Sequence, residues 1–174
     1  VDSVANYKEH QAIPKDTFIK EEGLANKPIL ALLSGSRKQE IKDNLPTMLK
    51  VASAYPDYQP VIAGAPGIDP AYYQEYIGSY PAKIVFGKTY PLLQHSAAAL
   101  VTSGTATLET ALFRVPQVVC YYVVAGQLAS FIFKHFFHTK YISLVNLIGG
   151  REIVQELFGA RFSESQIQDR KSVV

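Results

Sequence analysis

The chain has 174 residues, a formal net charge of +2, 48% hydrophobic residues and 18% charged residues. That length suits one domain around one continuous core, and that balance excludes both a disordered tail and a charge-saturated binder. Lys and Arg are scattered with no basic stripe, so nucleic acid is not an expected partner, and the one cysteine, Cys120, excludes an intrachain disulfide and points to a reducing, cytoplasmic setting.

Residues 1–27 are polar, mixed in charge and weakly periodic, and are expected to be a lead-in or linker. Residues 1–6 lack the basic start and apolar core of a signal peptide, and no apolar run approaches the roughly 20 residues of a spanning helix. At Pro28 the texture changes. Residues 29–33 are a continuous apolar run, as expected of a strand buried on both faces. Residues 40–55 place Ile41, Leu45, Met48, Leu49 and Ala52 at helical spacing, with Pro46 inside the pattern predicting a late start or a kink. The alternation repeats. Strands are expected at 60–64, 83–86, 98–101 and 117–123, and helices at 70–76, 90–96, 106–113 and 128–138. A short extended piece at 141–144 and a final helix at 151–158 complete the pattern. Five strands alternating with helices predict an α/β fold, a Rossmann-like parallel sheet with helices on both faces. Ligands of such sheets bind beyond the carboxyl ends of the strands, near the switch in strand order.

Two loops at those ends share one design. Ser34-Gly35-Ser36-Arg37 leaves the first strand, and Ser103-Gly104-Thr105 leaves the fourth, each with small residues, hydroxyls and then a helix start. Glycine lets the backbone approach a ligand closely, and a helix N-terminus offers N–H groups to an anion. Arg37 adds a planar fork of donors suited to phosphate oxygens. Glu109 lies one helical turn past Thr105, where a carboxylate can accept hydrogen bonds from the vicinal hydroxyls of a ribose. One strand-Gly-helix turn is commonly only a turn, Arg37 alone only a solvated residue, and Glu109 alone only a surface charge. The two loops together favour a phosphorylated nucleotide. Neither a Walker loop nor the three-glycine dinucleotide fingerprint is present. A third block runs from Ser143 to Glu152. Asn146 is polar among apolar neighbours there, and on its own reads equally as a local cap in a Gly-rich turn.

Taken in order, Ser34-Gly35-Ser36-Arg37-Lys38-Gln39-Glu40-Ile41, Ser103-Gly104-Thr105-Ala106-Thr107-Leu108-Glu109, and Tyr141-Ile142-Ser143-Leu144-Val145-Asn146-Leu147 with Gly150-Arg151-Glu152 resemble the lipid-A-disaccharide synthases. The resemblance covers nearly the whole chain. It implies one half of a two-domain GT-B glycosyltransferase, with residues 28–174 as the C-terminal UDP-binding domain and residues 1–4 at the interdomain junction. The reaction implied is transfer of 2,3-diacylglucosamine from UDP-2,3-diacylglucosamine to the lipid acceptor 2,3-diacylglucosamine 1-phosphate, with inversion. No metal and no organic cofactor is implied, since helix N-termini and arginine can stabilise the departing diphosphate. By resemblance Arg37 and Asn146 are the essential, catalytic positions. The UDP-binding set is Gly35, Ser36, Arg37, Ser103, Gly104, Thr105, Glu109 and Asn146. The chain departs from the family where Ser34 and Val145 replace the usual prolines. The family's N-terminal domain, with the acidic residue expected to act as base and the surface that grips the acceptor, has no counterpart in this sequence. The chain alone is therefore expected to be inactive.

Other readings stay open at this point. One is another UDP-N-acetylglucosamine-using enzyme of the same architecture or an epimerase. Another is a non-catalytic nucleotide-binding subunit that needs a partner. A peripheral location on the inner face of the inner membrane and a homodimer are further expectations of the resemblance. Phe131, Phe133, Phe136 and Phe137 suit packing against the N-terminal domain or contact with a membrane surface. Cys120 reads as a buried inert thiol. His135 and His138 lack the neighbouring ligands that zinc requires.

Overall fold

The computed structural model describes residues 2–121, 144–153 and 155–158. Six parallel strands form one sheet: β1 (Ile29–Leu33), β2 (Gln59–Gly64), β3 (Lys83–Phe86), β4 (Ser96–Thr102), β5 (Gln117–Tyr121) and β6 (Gln155–Phe158). Their order is β3-β2-β1-β4-β5-β6, and every neighbouring pair is parallel. This is the strand order of a Rossmann-type sheet. Helices α3 (Lys38–Ser53), α4 (Pro70–Ile77), α5 (Thr89–His95) and α6 (Thr105–Leu112) make the crossovers.

All five residues of β1 are buried, which explains why its sequence is unbroken by polar residues. Alternate side chains serve opposite faces. Leu30 and Leu32 join Ile62, Leu100 and Cys120 beneath Ile41, Leu45, Met48 and Leu49 of α3. Ile29, Ala31 and Leu33 join Val61, Val85 and Val101 against Leu92 and Leu93 of α5. Truncating a fully buried leucine such as Leu32 in a core of this kind costs about 2–5 kcal/mol.

Three expectations change. Residues 1–27 were expected as a lead-in, but they contain α1 (Asp2–His10) and α2 (Lys15–Glu21). Phe18 is fully buried in the α5-side core, and the Tyr7 hydroxyl donates to Gln94 Oε1 at 2.7 Å. Val4, Tyr7 and Phe18 are the buried apolar residues of these helices, too few to stand out from the polar background. Pro46 neither delays nor interrupts α3, which starts at Lys38. The bond lost is to the carbonyl of Lys42, and Pro46 and Lys42 both sit on the solvent face, where water can replace it.

The third change is at the C-terminal edge, where a strand takes the place of the expected final helix; residues 141–143 of the expected extended piece lie outside the described residues. Leu144 opens a short helix, α7 (Leu144–Gly149), and residues 155–158 form β6 in parallel pairing with β5. Gly150 takes a positive φ of 62° and ends α7. Pairing with the open edge of β5 then overrides the local helical pattern of residues 151–158. The expected helix at 128–138, its phenylalanines, His135 and His138 lie outside the described residues. Among the described residues, no helix is long and apolar enough to cross a membrane.

Candidate functional site

The chain lays down β1, β2 and β3 in one direction, then crosses back through α5 to place β4 on the other side of β1. The switch point therefore lies between β1 and β4. Leu33 pairs with Val101 at the last register position of the two strands. Ser34-Gly35-Ser36-Arg37 and Thr102-Ser103-Gly104-Thr105 consequently leave the sheet side by side, as the strand order requires of a ligand crevice.

The first loop is held by its own helix. Glu40, at the third position of α3, accepts the Ser36 N–H at 2.8 Å and the Arg37 N–H at 3.2 Å through Oε2. Its Oε1 accepts from Arg37 Nη1 at 3.2 Å. Gly35 has φ 112°, and a Cβ placed there would fall 2.5 Å from the Glu40 Cβ. The Glu40 side chain thus makes a close approach that, with the positive φ, demands glycine here. Ser34 is fully buried, whereas Ser36 and Arg37 are exposed.

The second loop is open. Gly104 adopts φ 149° and ψ −162°, a region essentially restricted to glycine. Its carbonyl accepts from the Thr107 N–H at 3.2 Å and the Thr107 hydroxyl at 2.8 Å, which ties down the first turn of α6. Gly104 and Thr105 face solvent, and no side chain caps the helix start. Glu109 follows one turn later, roughly 6 Å along the axis at the helical rise.

Glu109 opens on a cavity of about 530 Å³ lined by Tyr7, Gln11, Ile13, Gly87 to Pro91 and Glu109. Tyr90 donates its hydroxyl hydrogen to Glu109 Oε1 at 3.0 Å. Burial, then that hydrogen bond and the carboxylate charge, push the Tyr90 phenol above its ordinary pKa. The rings of Tyr7, Tyr90 and Phe113 pack on one another with centroids 5.5–5.9 Å apart. Lys88 in the same wall has its Nζ 3.7 Å from Glu21 Oε2. Of the residues expected from sequence, Glu109 alone lines this cavity. Arg37, Gly35, Ser36, Ser103, Gly104 and Thr105 lie along the neighbouring switch-point loops.

Asn146 is fully buried in α7. Its Oδ1 accepts the Ile153 N–H at 2.7 Å, closing the turn that leads into β6, and α7 packs on α6. The helix that carries it lies against the second loop's helix. Cys120 is buried, and desolvation pushes its thiol pKa far up, so it is no nucleophile. Sequence reasoning missed Tyr90, Lys88 and the Glu40 clamp. The last had a signal, since Glu three residues after a helix cap is half of a capping box. Tyr90 had none, because only the fold brings α5 to α6.

The family model described as lipid-A-disaccharide synthetase matches residues 1–174. The chain belongs to the lipid-A-disaccharide synthase family. Among its relatives, the lipid-A-disaccharide synthase of Solibacter usitatus is 32% identical over 88% of this chain and 41% of the relative. That of Anaeromyxobacter sp. strain K is 36% identical over 83% and 39%. That of Psychromonas ingrahamii is 38% identical over 76% and 36%. The chain thus spans about two fifths of the lipid-A-disaccharide synthases it matches. Two solved glycosyltransferases share the fold. WaaG, a glycosyltransferase involved in lipopolysaccharide biosynthesis, superposes with a TM-score of 0.57 over 94% of this chain and 42% of WaaG at 13% identity. The family 9 glycosyl transferase of Veillonella parvula gives 0.51 over 88% and 48% at 16% identity. The described residues of this lipid-A-disaccharide synthase family member therefore form a Rossmann-like parallel sheet, a fold shared with these glycosyltransferases.

Proposed function

We propose that this chain is the donor-binding half of a lipid-A-disaccharide synthase, holding UDP-2,3-diacylglucosamine by its UDP part. The observation that carries the reading is the pairing of Leu33 with Val101, which sets the Arg37 loop beside the Gly104 loop at the switch point. The open start of α6 and the Arg37 guanidinium suit the two phosphates. Glu109, one turn along α6, suits the ribose hydroxyls, and the cavity behind it has the size and aromatic wall a nucleoside needs. In the reaction these groups would take up the charge that develops on the departing UDP, the term that usually dominates such catalysis. Asn146 would act through its own helix, α7, which packs on α6. The base and the grip on the lipid acceptor, 2,3-diacylglucosamine 1-phosphate, would come from sequence outside these 174 residues, in keeping with relatives more than twice as long.

Calorimetry tests the reading. UDP and UDP-sugars should bind, and ADP should bind much more weakly. Equal or tighter binding of ADP would sink it. Incubation of the chain with both lipid substrates should give no disaccharide, and turnover would put the base inside this sequence.

A further inference from the structure

We propose that Glu40 is the positioning residue of the first loop, the group that sets Arg37 in the geometry in which it meets a phosphate. The proposal rests on the nucleotide reading of that loop. One carboxylate makes three contacts there: the Ser36 N–H, the Arg37 N–H and Arg37 Nη1. Its stem lies over Gly35, so closely that any side chain at that position would collide with it. The Ser36 and Arg37 amides are therefore already satisfied from within the chain, and these two donors are not the groups offered to a ligand.

What the loop offers is the guanidinium. Arg37 has its side chain 82% exposed and is tethered at Nη1, so the rest of the fork faces solvent. An untethered arginine samples many rotamers and loses that freedom on binding. A tethered one has lost part of it beforehand, so binding is stronger for the same contacts. The carboxylate lowers the positive charge of the loop, which opposes phosphate binding. The geometry points to order as the larger effect, because Glu40 holds two backbone amides as well as the side chain and leaves the outer edge of the fork open.

The test has two parts. In the free protein, hydrogen exchange at the Ser36 and Arg37 amides should quicken in Glu40→Ala. It should stay near wild type in Glu40→Gln, whose side-chain oxygen still accepts. In calorimetry, Glu40→Ala should weaken UDP about tenfold, near the net worth of one hydrogen bond, and leave uridine unchanged. Glu40→Gln should fall between, and Glu40→Ala should add nothing in an Arg37→Ala background. A merely structural role would weaken uridine and UDP together, and that result overturns the proposal. Tighter or unchanged UDP binding by Glu40→Ala also overturns it, and the tighter case makes Glu40 a plug that the ligand displaces. Wild-type protein that binds no UDP overturns the nucleotide reading, and this proposal with it. Wild-type binding with a silent Glu40→Ala overturns this proposal alone.

Discussion

Tyr90 donates its hydroxyl hydrogen to Oε1 of Glu109 over 3.0 Å, tying the start of α5 to the second turn of α6. The bond fixes one carboxylate oxygen and sets the direction of the other. It joins two elements that serve the same cavity, one following β3 and the other following β4.

Tyr90→Phe removes that donor and keeps the ring that packs on Tyr7 and Phe113. UDP and uridine should both weaken by about 0.5–1.5 kcal/mol, the net worth of a hydrogen bond. Affinities equal to wild type would mean that Tyr90 does not orient Glu109 for the ligand.

Arg37 and Glu109 should divide the nucleotide between them. Arg37→Ala should weaken UDP by about 1.5–3 kcal/mol, the range for hydrogen bonds to charged groups, and leave uridine nearly unchanged. Glu109→Ala should weaken UDP and uridine alike, and 2′-deoxyuridine should respond less. Both variants are first shown to be folded by circular dichroism. An equal loss of UDP and uridine in Arg37→Ala would assign Arg37 to supporting the loop.

Asn146→Ala leaves the Ile153 N–H without its acceptor and opens a small hole where the buried amide sat. Unfolding in urea should show a loss of about 1–3 kcal/mol, the cost of an unmet buried polar group. A fall in UDP affinity with stability intact would instead place the Asn146 amide in direct contact with the ligand.

Alkali should expose the buried tyrosines. Burial raises the phenol pKa of Tyr7, Tyr73 and Tyr90 in the native state. Above about pH 10 the unfolded chain gives up these protons first, so it binds fewer than the native state and stability falls. The contribution is fully present below that pH and is lost as pH rises through the native values. Tyr73 also accepts the Ala65 N–H at 2.8 Å. Tyr73→Phe should therefore be less stable at neutral pH, yet show a shallower fall between pH 9 and 11 in urea titrations. A slope unchanged from wild type would remove Tyr73 from the group.

The sheet was legible because a strand buried on both faces must be written in apolar residues, as residues 29–33 are. The loops were legible because Gly35 and Gly104 take backbone conformations that few other residues tolerate. β6 was not legible. Gln155-Glu156-Leu157-Phe158 carries no alternation, and it becomes a strand only because β5 offers it an edge. In the candidate site, residue type and spacing single out Arg37 and Glu109 as candidates. Tyr90 was not legible, because its value depends on α5 and α6 meeting in space. The contact of Gly35 with Glu40 was not legible, since it depends on the turn folding back over the loop.

The pairing of Leu33 with Val101 closes a loop of chain that holds all of α3, β2, α4, β3 and α5. Contacts so distant in sequence are slow to form and belong late in folding. The two ligand loops therefore come together only once the centre of the sheet is complete, and no partly folded chain can present them both. Nucleotide would bind the finished sheet and ignore its precursors. At a hundred times its dissociation constant, such a ligand deepens the native well by about 2.7 kcal/mol. In a cell, the supply of such a nucleotide would then govern how long the domain stays folded.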